Sequence, residues 1–171
     1  MNIKSDKHAH VITESPPDGR VNTSRQSITA ALLVRLSPDA LDLNELMNAA
    51  AGNPASGGLV IFSGNVRNFN QGKTVSHLEY ESYAPLAEKM MRTILEAAAE
   101  NWSLHFAGVV HRTGIVAIGE PAVYVVTASA HRRAAYEANA HIIHRTKHEV
   151  PIWKKECYTD GTYLWGHNCD H

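Results

Sequence analysis

An α+β fold is predicted by three features of this chain. Short runs rich in β-branched residues sit beside two long segments of helical periodicity, and a paired-strand signal closes the sequence. These signals are mixed in order, whereas a doubly wound α/β sheet would alternate strand and helix strictly. No repeat or low-complexity block interrupts them.

SITAALLVRL, from Ser27, is apolar and bounded by Ser37-Pro38, which predicts a buried strand, with a short helix as the weaker alternative. Asp42 then opens a short helix, LNELMNAAA, stopped by Gly52-Asn53-Pro54. Leu59 to Phe62 reads as a strand running into a polar loop that carries Gly64, Asn65, Arg67, Asn68, Asn70 and Gly72. Val75 to Tyr83 alternates as a strand does. Pro85 to Trp102 is the clearest helix, with Leu86, Met90, Ile94 and Ala97 or Ala98 expected on its apolar face.

LHFAGVVHRTG and AVYVVTASA predict two more strands, separated by the turn-like Ala117-Ile118-Gly119-Glu120-Pro121. His131 to about Lys147 is a second long helix with an apolar stripe of Ala135, Ala138, Ile142 and Ile143, and Pro151 prevents its continuation. The final PIWKKECY and TDGTYLWG read as two short strands around the turn signal Asp160-Gly161.

The 171 residues, 44% hydrophobic and 19% charged, suit one domain. Residues 1–26 lack the apolar stretch of a secretory signal and are expected to form a mobile tail, leaving residues 27–171 as the folded domain. A formal net charge of -1 argues against wholesale binding to nucleic acid or an anionic membrane, so any anion site must be local. No stretch reaches the ~18 apolar residues of a membrane span. Two cysteines are too few for a disulfide scaffold, which suits a reducing cytoplasm.

Cations cluster in HRTKHEVPIWKKE, His144 to Glu156. Alternation along the strand after Pro151 puts Ile152, Lys154 and Glu156 on one face and Trp153 and Lys155 on the other. A turn at Val150-Pro151 would bring Lys147 and Lys154 to one pocket, where mutual repulsion would favour loss of a proton from one ammonium. The bland alternatives are helix-end dipole complementation for Lys147 and ordinary surface charge for Lys154. His131-Arg132-Arg133 begins a helix, where unpaired backbone N–H groups and guanidinium groups favour phosphate or carboxylate, although solvated surface arginines would look the same. Arg67 follows a strand in an Asn/Gly-rich loop. Cys157, His167, Cys169 and His171 lack the spacing of a zinc site, and neither a metal nor an organic cofactor is expected.

Taken together and in order, GLVIFSGNVRNFNQG, LEYESYAPLAEKMM and TASAHRRAAYEANAHIIHRTKHEVPIWKKE closely resemble the catalytic large subunits of the molybdopterin synthase family, over roughly Ser27 to Glu156. The resemblance implies an α/β hammerhead-type single domain with a mixed sheet and two longer helices. It implies a homodimer at the core of a heterotetramer, each end binding a small ubiquitin-like sulfur-carrier subunit with a C-terminal Gly-Gly thiocarboxylate. The implied reaction transfers two sulfurs, in successive rounds, to cyclic pyranopterin monophosphate.

By matching motifs, the resemblance assigns catalysis to Lys147 and Lys154 and substrate binding to Arg67, His131 and Arg132 as well, with Asn65, Val66, Lys155 and Glu156 in the pocket-lining segments. His131 and Arg132 are expected from across a dimer interface. The N-terminal tail and the ending YLWGHNCDH depart from the family pattern. One rival reading is a non-catalytic dimeric module binding a phosphometabolite or a partner's tail. Another is a persulfide sulfurtransferase using Cys157, which lacks the cationic helix-start loop of a low-pKa thiol.

Overall fold

The computed structural model describes residues 29–167, so the expected tail, Cys169 and His171 lie outside the described residues, as does the side chain of His167. Elements run β1 (Ala31–Ser37), α1 (Leu43–Ala50), β2 (Gly58–Asn65), β3 (Phe69–Asn70), β4 (Lys73–Ser82), α2 (Ala84–Asn101), β5 (Phe106–Arg112), β6 (Gly114–Ala117), β7 (Pro121–Ser129), α3 (Arg132–Glu149), β8 (Ile152–Tyr158) and β9 (Tyr163–His167). The α+β class holds.

The first sheet has the order β1-β5-β7-β2. Only β1 and β5 run parallel; β7 is antiparallel to both of its neighbours. Both faces of its centre are covered, which explains why β5 and β7 read as continuous apolar runs. Phe106, Val110, Val126 and Ala128 pack with Leu46 and Ala50 of α1. On the other face Ala107, Val109, Val123 and Val125 join α2 and α3.

Asp42 caps α1 by accepting the Asn44 N–H at 2.9 Å, as the sequence predicts. In α2 the buried residues are Ala87, Met91, Ile94, Leu95 and Ala98. Leu86 is 42% exposed and Met90 only partly buried, so the core stripe is rotated by about one residue from the predicted one. The reason is competition between two apolar stripes on the same helix, settled by the sheet and α3 beneath it. Full burial of Met91 and Leu95 contributes roughly 1.5–3 kcal/mol each. In α3 the predicted Ala135, Ala138 and Ile142 are buried, and the polar Asn139 and Thr146 join them. Asn139 is admitted because its Nδ2 donates to the Val125 carbonyl at 3.1 Å.

The second sheet has the order β3-β4-β8-β9, with β6 on β4. β6 is an additional strand within what reads as a single strand-turn-strand stretch, paired from Gly114↔Tyr80 to Ala117↔His77. β2 extends to Asn65, beyond the predicted end at Phe62, because β7 pairs with it throughout. The inward face of the second sheet, with Val75, Leu78, Tyr80, Ile152 and Tyr158, merges into the core shared with α2 and α3. Among the described residues no helix is long and apolar enough to cross a membrane.

Candidate active site

A cleft opens where the inward face of the second sheet meets the C-terminal end of α3 and the far end of β2. Val75, Leu78, Tyr80 and Val123 give it apolar walls, and Arg67, Lys147 and Lys154 set three cations against the single carboxylate of Glu156. Its volume is about 510 Å³, counting the space at the mouth.

Each polar side chain is positioned by a local feature of the chain. At the end of β2 the register shifts between Gly64 and Asn65, and a Cβ on Gly64 would stand 2.7 Å from Val123 Cγ1, so strand and cleft wall meet too closely for a side chain there. Val66 is buried and pinned on both sides, its N–H donating to the Glu120 carbonyl at 3.0 Å and its carbonyl accepting from Gly119 at 2.9 Å. Arg67 thus leaves a fixed base. The β3–β4 hairpin turns at Gln71 and Gly72, both with positive φ (47° and 80°), the conformation of a two-residue type I′ loop. That turn delivers Asn70, which accepts from Arg67 Nη2 at 3.3 Å and donates to both Glu156 oxygens at 3.0 and 2.8 Å.

Lys147 comes from the last turn of α3, and Lys154 from β8, after the helix stops at Pro151. Lys154 and Glu156 are only 7% and 6% exposed, with Nζ and Oε1 2.9 Å apart. Burial pushes the Glu156 carboxyl up, but hydrogen bonds from Asn70 and Lys154, the Lys154 charge and the Tyr158 hydroxyl at 3.0 Å outweigh it and hold the group below its ordinary value. Glu156 is therefore an anion at neutral pH, better suited to hold Lys154 in place than to donate a proton.

Behind Tyr80 lies His111, fully buried, its ring edge-on to the tyrosine with centroids 5.0 Å apart. Burial lowers its pKa to about 4, helped by the Lys147 charge and opposed by the hydrogen bond to the Arg112 carbonyl. The imidazole is neutral, so it adds no further charge behind the three cations.

A family model described as MoaE protein matches residues 36–149. The chain belongs to the MoaE family. The molybdopterin synthase catalytic subunit of Staphylococcus carnosus is 44% identical over 115 residues, covering 67% of this chain and 77% of that relative. That of Staphylococcus aureus strain Mu50 is 42% identical over 115 residues, with 67% and 78% covered. The crystal structure of molybdopterin synthase from Staphylococcus aureus matches with a TM-score of 0.72 at 36% identity, over 77% of this chain and 96% of that one. A complex of subunits 1 and 2 of molybdopterin-converting factor from Helicobacter pylori contains the same fold, with a TM-score of 0.64 at 24% identity over 83% and 94% of the chains. As a MoaE protein, the chain is the catalytic subunit of molybdopterin synthase, an enzyme of molybdenum cofactor biosynthesis.

Of the residues that the MoaE motifs single out, Asn65, Arg67, Lys147, Lys154 and Glu156 line the cleft. Val66 supports it from the core instead. Lys155 points to the opposite face of the second sheet, where its Nζ donates to Glu79 Oε2 at 2.9 Å and lies over the Tyr163 ring; alternation along β8 dictates this once Lys154 faces inward. His131 and Arg132 are exposed at the N-terminus of α3. Fifteen residues of helix, at 1.5 Å each, put Arg132 about 22 Å from the Lys147 end.

Asn70, Tyr80, His111 and Tyr158 escape sequence reasoning. Asn70 alone had a local signal, the Asn-Gln-Gly turn; the others act through cross-strand placement. Cys157 faces away from the cleft on β8, and burial first, then the Glu79 charge, pushes its thiol up against the opposing influence of Lys155, which removes the basis for a persulfide nucleophile.

Proposed function

We propose that this chain transfers sulfur from the C-terminal thiocarboxylate of a small ubiquitin-like carrier subunit to cyclic pyranopterin monophosphate, in two rounds that build the dithiolene of molybdopterin. The observation that carries the reading is the convergence of Lys147 and Lys154, from opposite sides of Pro151, on a cleft with Arg67 at its rim. A phosphate-bearing pterin and a thiocarboxylate both bring negative charge, and three cations against one carboxylate suit two anions. In each round the carrier's sulfur bonds to a pterin carbon as an oxygen substituent leaves that carbon, and water then cleaves the carbon–sulfur bond to the carrier, leaving the carrier with a carboxylate. Lys147 activates the thiocarboxylate or moves the proton, while Lys154, held by Glu156, stabilises the negative charge that develops at the reacting carbonyl. Arg67 binds phosphate.

His131 and Arg132 lie too far from the cleft of their own chain to touch the same substrate, so they serve the cleft of a second copy in a homodimer. The carriers then bind at the two ends, giving a heterotetramer; in Helicobacter pylori a chain of this fold occurs in a complex of subunits 1 and 2 of molybdopterin-converting factor. The cytoplasm is the setting we assign, since reducing conditions preserve the thiocarboxylate. Incubating the purified protein with thiocarboxylated carrier and the cyclic pterin should yield a product containing two sulfurs and two equivalents of carrier carboxylate. Binding of both reactants without sulfur release would overturn the reading.

A further inference from the structure

The outer face of the second sheet, opposite the cleft, brings together His77 and Glu79 of β4 and Cys157 of β8, with one donor atom from each lying within 4.8 Å of the others. His77 and Cys157 are register partners across the antiparallel pair, and Glu79 follows His77 by two residues on the same face. This arrangement depends on a β-bulge. The register shifts between Val75 and His77, so that Val75 and Leu78 both face the core while His77 turns outward beside Cys157.

Ser76, the extra residue of the bulge, fixes the imidazole. Its hydroxyl donates to the Cys157 carbonyl at 2.9 Å, leaving an oxygen lone pair to accept from His77 Nδ1 at 3.0 Å. The other ring nitrogen, Nε2, faces Glu79 Oε1 3.4 Å away. Imidazole nitrogen and carboxylate oxygen thus stand side by side on this face, and the thiol of Cys157 supplies a third donor. An imidazole whose second nitrogen is held by a neighbouring polar group is the usual form of a metal-ligating histidine.

We propose that His77 Nε2, a Glu79 carboxylate oxygen and Cys157 Sγ form a three-ligand site for a borderline-soft divalent cation of the zinc type, with water as fourth ligand. Thiolate, imidazole and carboxylate together select against calcium and magnesium, which prefer oxygen donors alone. Bonds of about 2.0–2.3 Å place tetrahedral donors roughly 3.5 Å apart, so closing from 4.8 Å or less asks only for side-chain rotation. The Lys155 ammonium, 2.9 Å from Glu79 Oε2, competes for the carboxylate and weakens the site. The site stands apart from the cleft and does not depend on the sulfur-transfer reading.

The test titrates Zn²⁺ into the reduced, untagged full-length protein by calorimetry and Co²⁺ by absorption spectroscopy. One ion should bind per chain, and Co²⁺ should give a thiolate-to-metal charge-transfer band with the visible bands of a tetrahedral centre. Cys157→Ser should abolish the charge-transfer band, and Cys169→Ser with His171→Ala should leave it unchanged. His77→Ala and Glu79→Gln should weaken binding by more than Ser76→Ala, for which about 10- to 100-fold is expected because only the partner of His77 is lost. Lys155→Met should tighten it. Should Cys157→Ser fail to fold, the wild type still decides, since bound Zn²⁺ must shield Cys157 from alkylation. Absence of stoichiometric binding, or a band that survives Cys157→Ser, or alkylation of Cys157 unaffected by Zn²⁺, would overturn the proposal.

Discussion

Lys154 and Glu156, two residues apart on the inward face of β8, form an ion pair of 2.9 Å with both side chains more than nine-tenths buried. Both line the cleft, and Glu156, itself held by Asn70 and Tyr158, fixes where the Lys154 ammonium stands.

Removing the carboxylate should therefore damage folding as well as turnover. Glu156→Gln is expected to lower stability by about 3–5 kcal/mol, the usual loss when one member of a buried pair is deleted. Chemical denaturation measures it, and the double variant Glu156→Gln with Lys154→Met should lose less than the sum of the single losses. Strict additivity would show that the pair is not energetically coupled.

Lys147→Ala should spare the fold, because the core side of α3 rests on Ala135, Ala138 and Ile142. Carrier affinity should stay close to wild type, since one cation at the tip of the bound tail adds little to an extended contact. Single-turnover sulfur transfer should fall about 100-fold or more, as expected for lost transition-state stabilisation. A near-wild-type rate would make this lysine a bystander.

Arg67→Ala and Arg132→Ala should each weaken binding of the pterin by about 1.5–3 kcal/mol, the worth of a charge-assisted hydrogen bond. They differ in how they combine. If Arg132 serves a partner's cleft, randomly mixing Arg132→Ala chains with Lys147→Ala chains should restore about a quarter of wild-type activity, because half the dimers then own one intact site of two. No recovery on mixing, with subunit exchange verified, would place Arg132 outside the shared site.

The depressed pKa of His111 predicts acid sensitivity. Between the unfolded value near 6.5 and the folded value of about 4, the unfolded chain takes up a proton that the folded chain refuses, so stability falls as pH drops through that window and levels off below it. The group accounts for about 3 kcal/mol across the window. Glu156, held below its ordinary value, adds a loss of the same sign at lower pH. His111→Gln should flatten the pH dependence between 6.5 and 4 relative to wild type; parallel curves would show that another group governs acid lability.

What the sequence alone determined follows from short-range physics. Alternation places Lys154 and Glu156 on one face of β8, Pro151 ends α3 and turns the chain so that two lysines can converge, and Asp160-Gly161 closes the β8–β9 hairpin. Each of these depends on dihedral preference or on a period of two, which neighbouring residues set between them. Tertiary structure decided what depends on register and competing faces: which stripe of α2 enters the core, the insertion of β6, the reach of Asn70 to Glu156 across 86 residues, and the burial of His111 behind Tyr80. The bulge at Ser76 shows the reason most plainly. One extra residue in β4 turns His77 from the core face to the outer face and beside Cys157, and nothing in the period-two pattern of either strand says where two segments 80 residues apart will align.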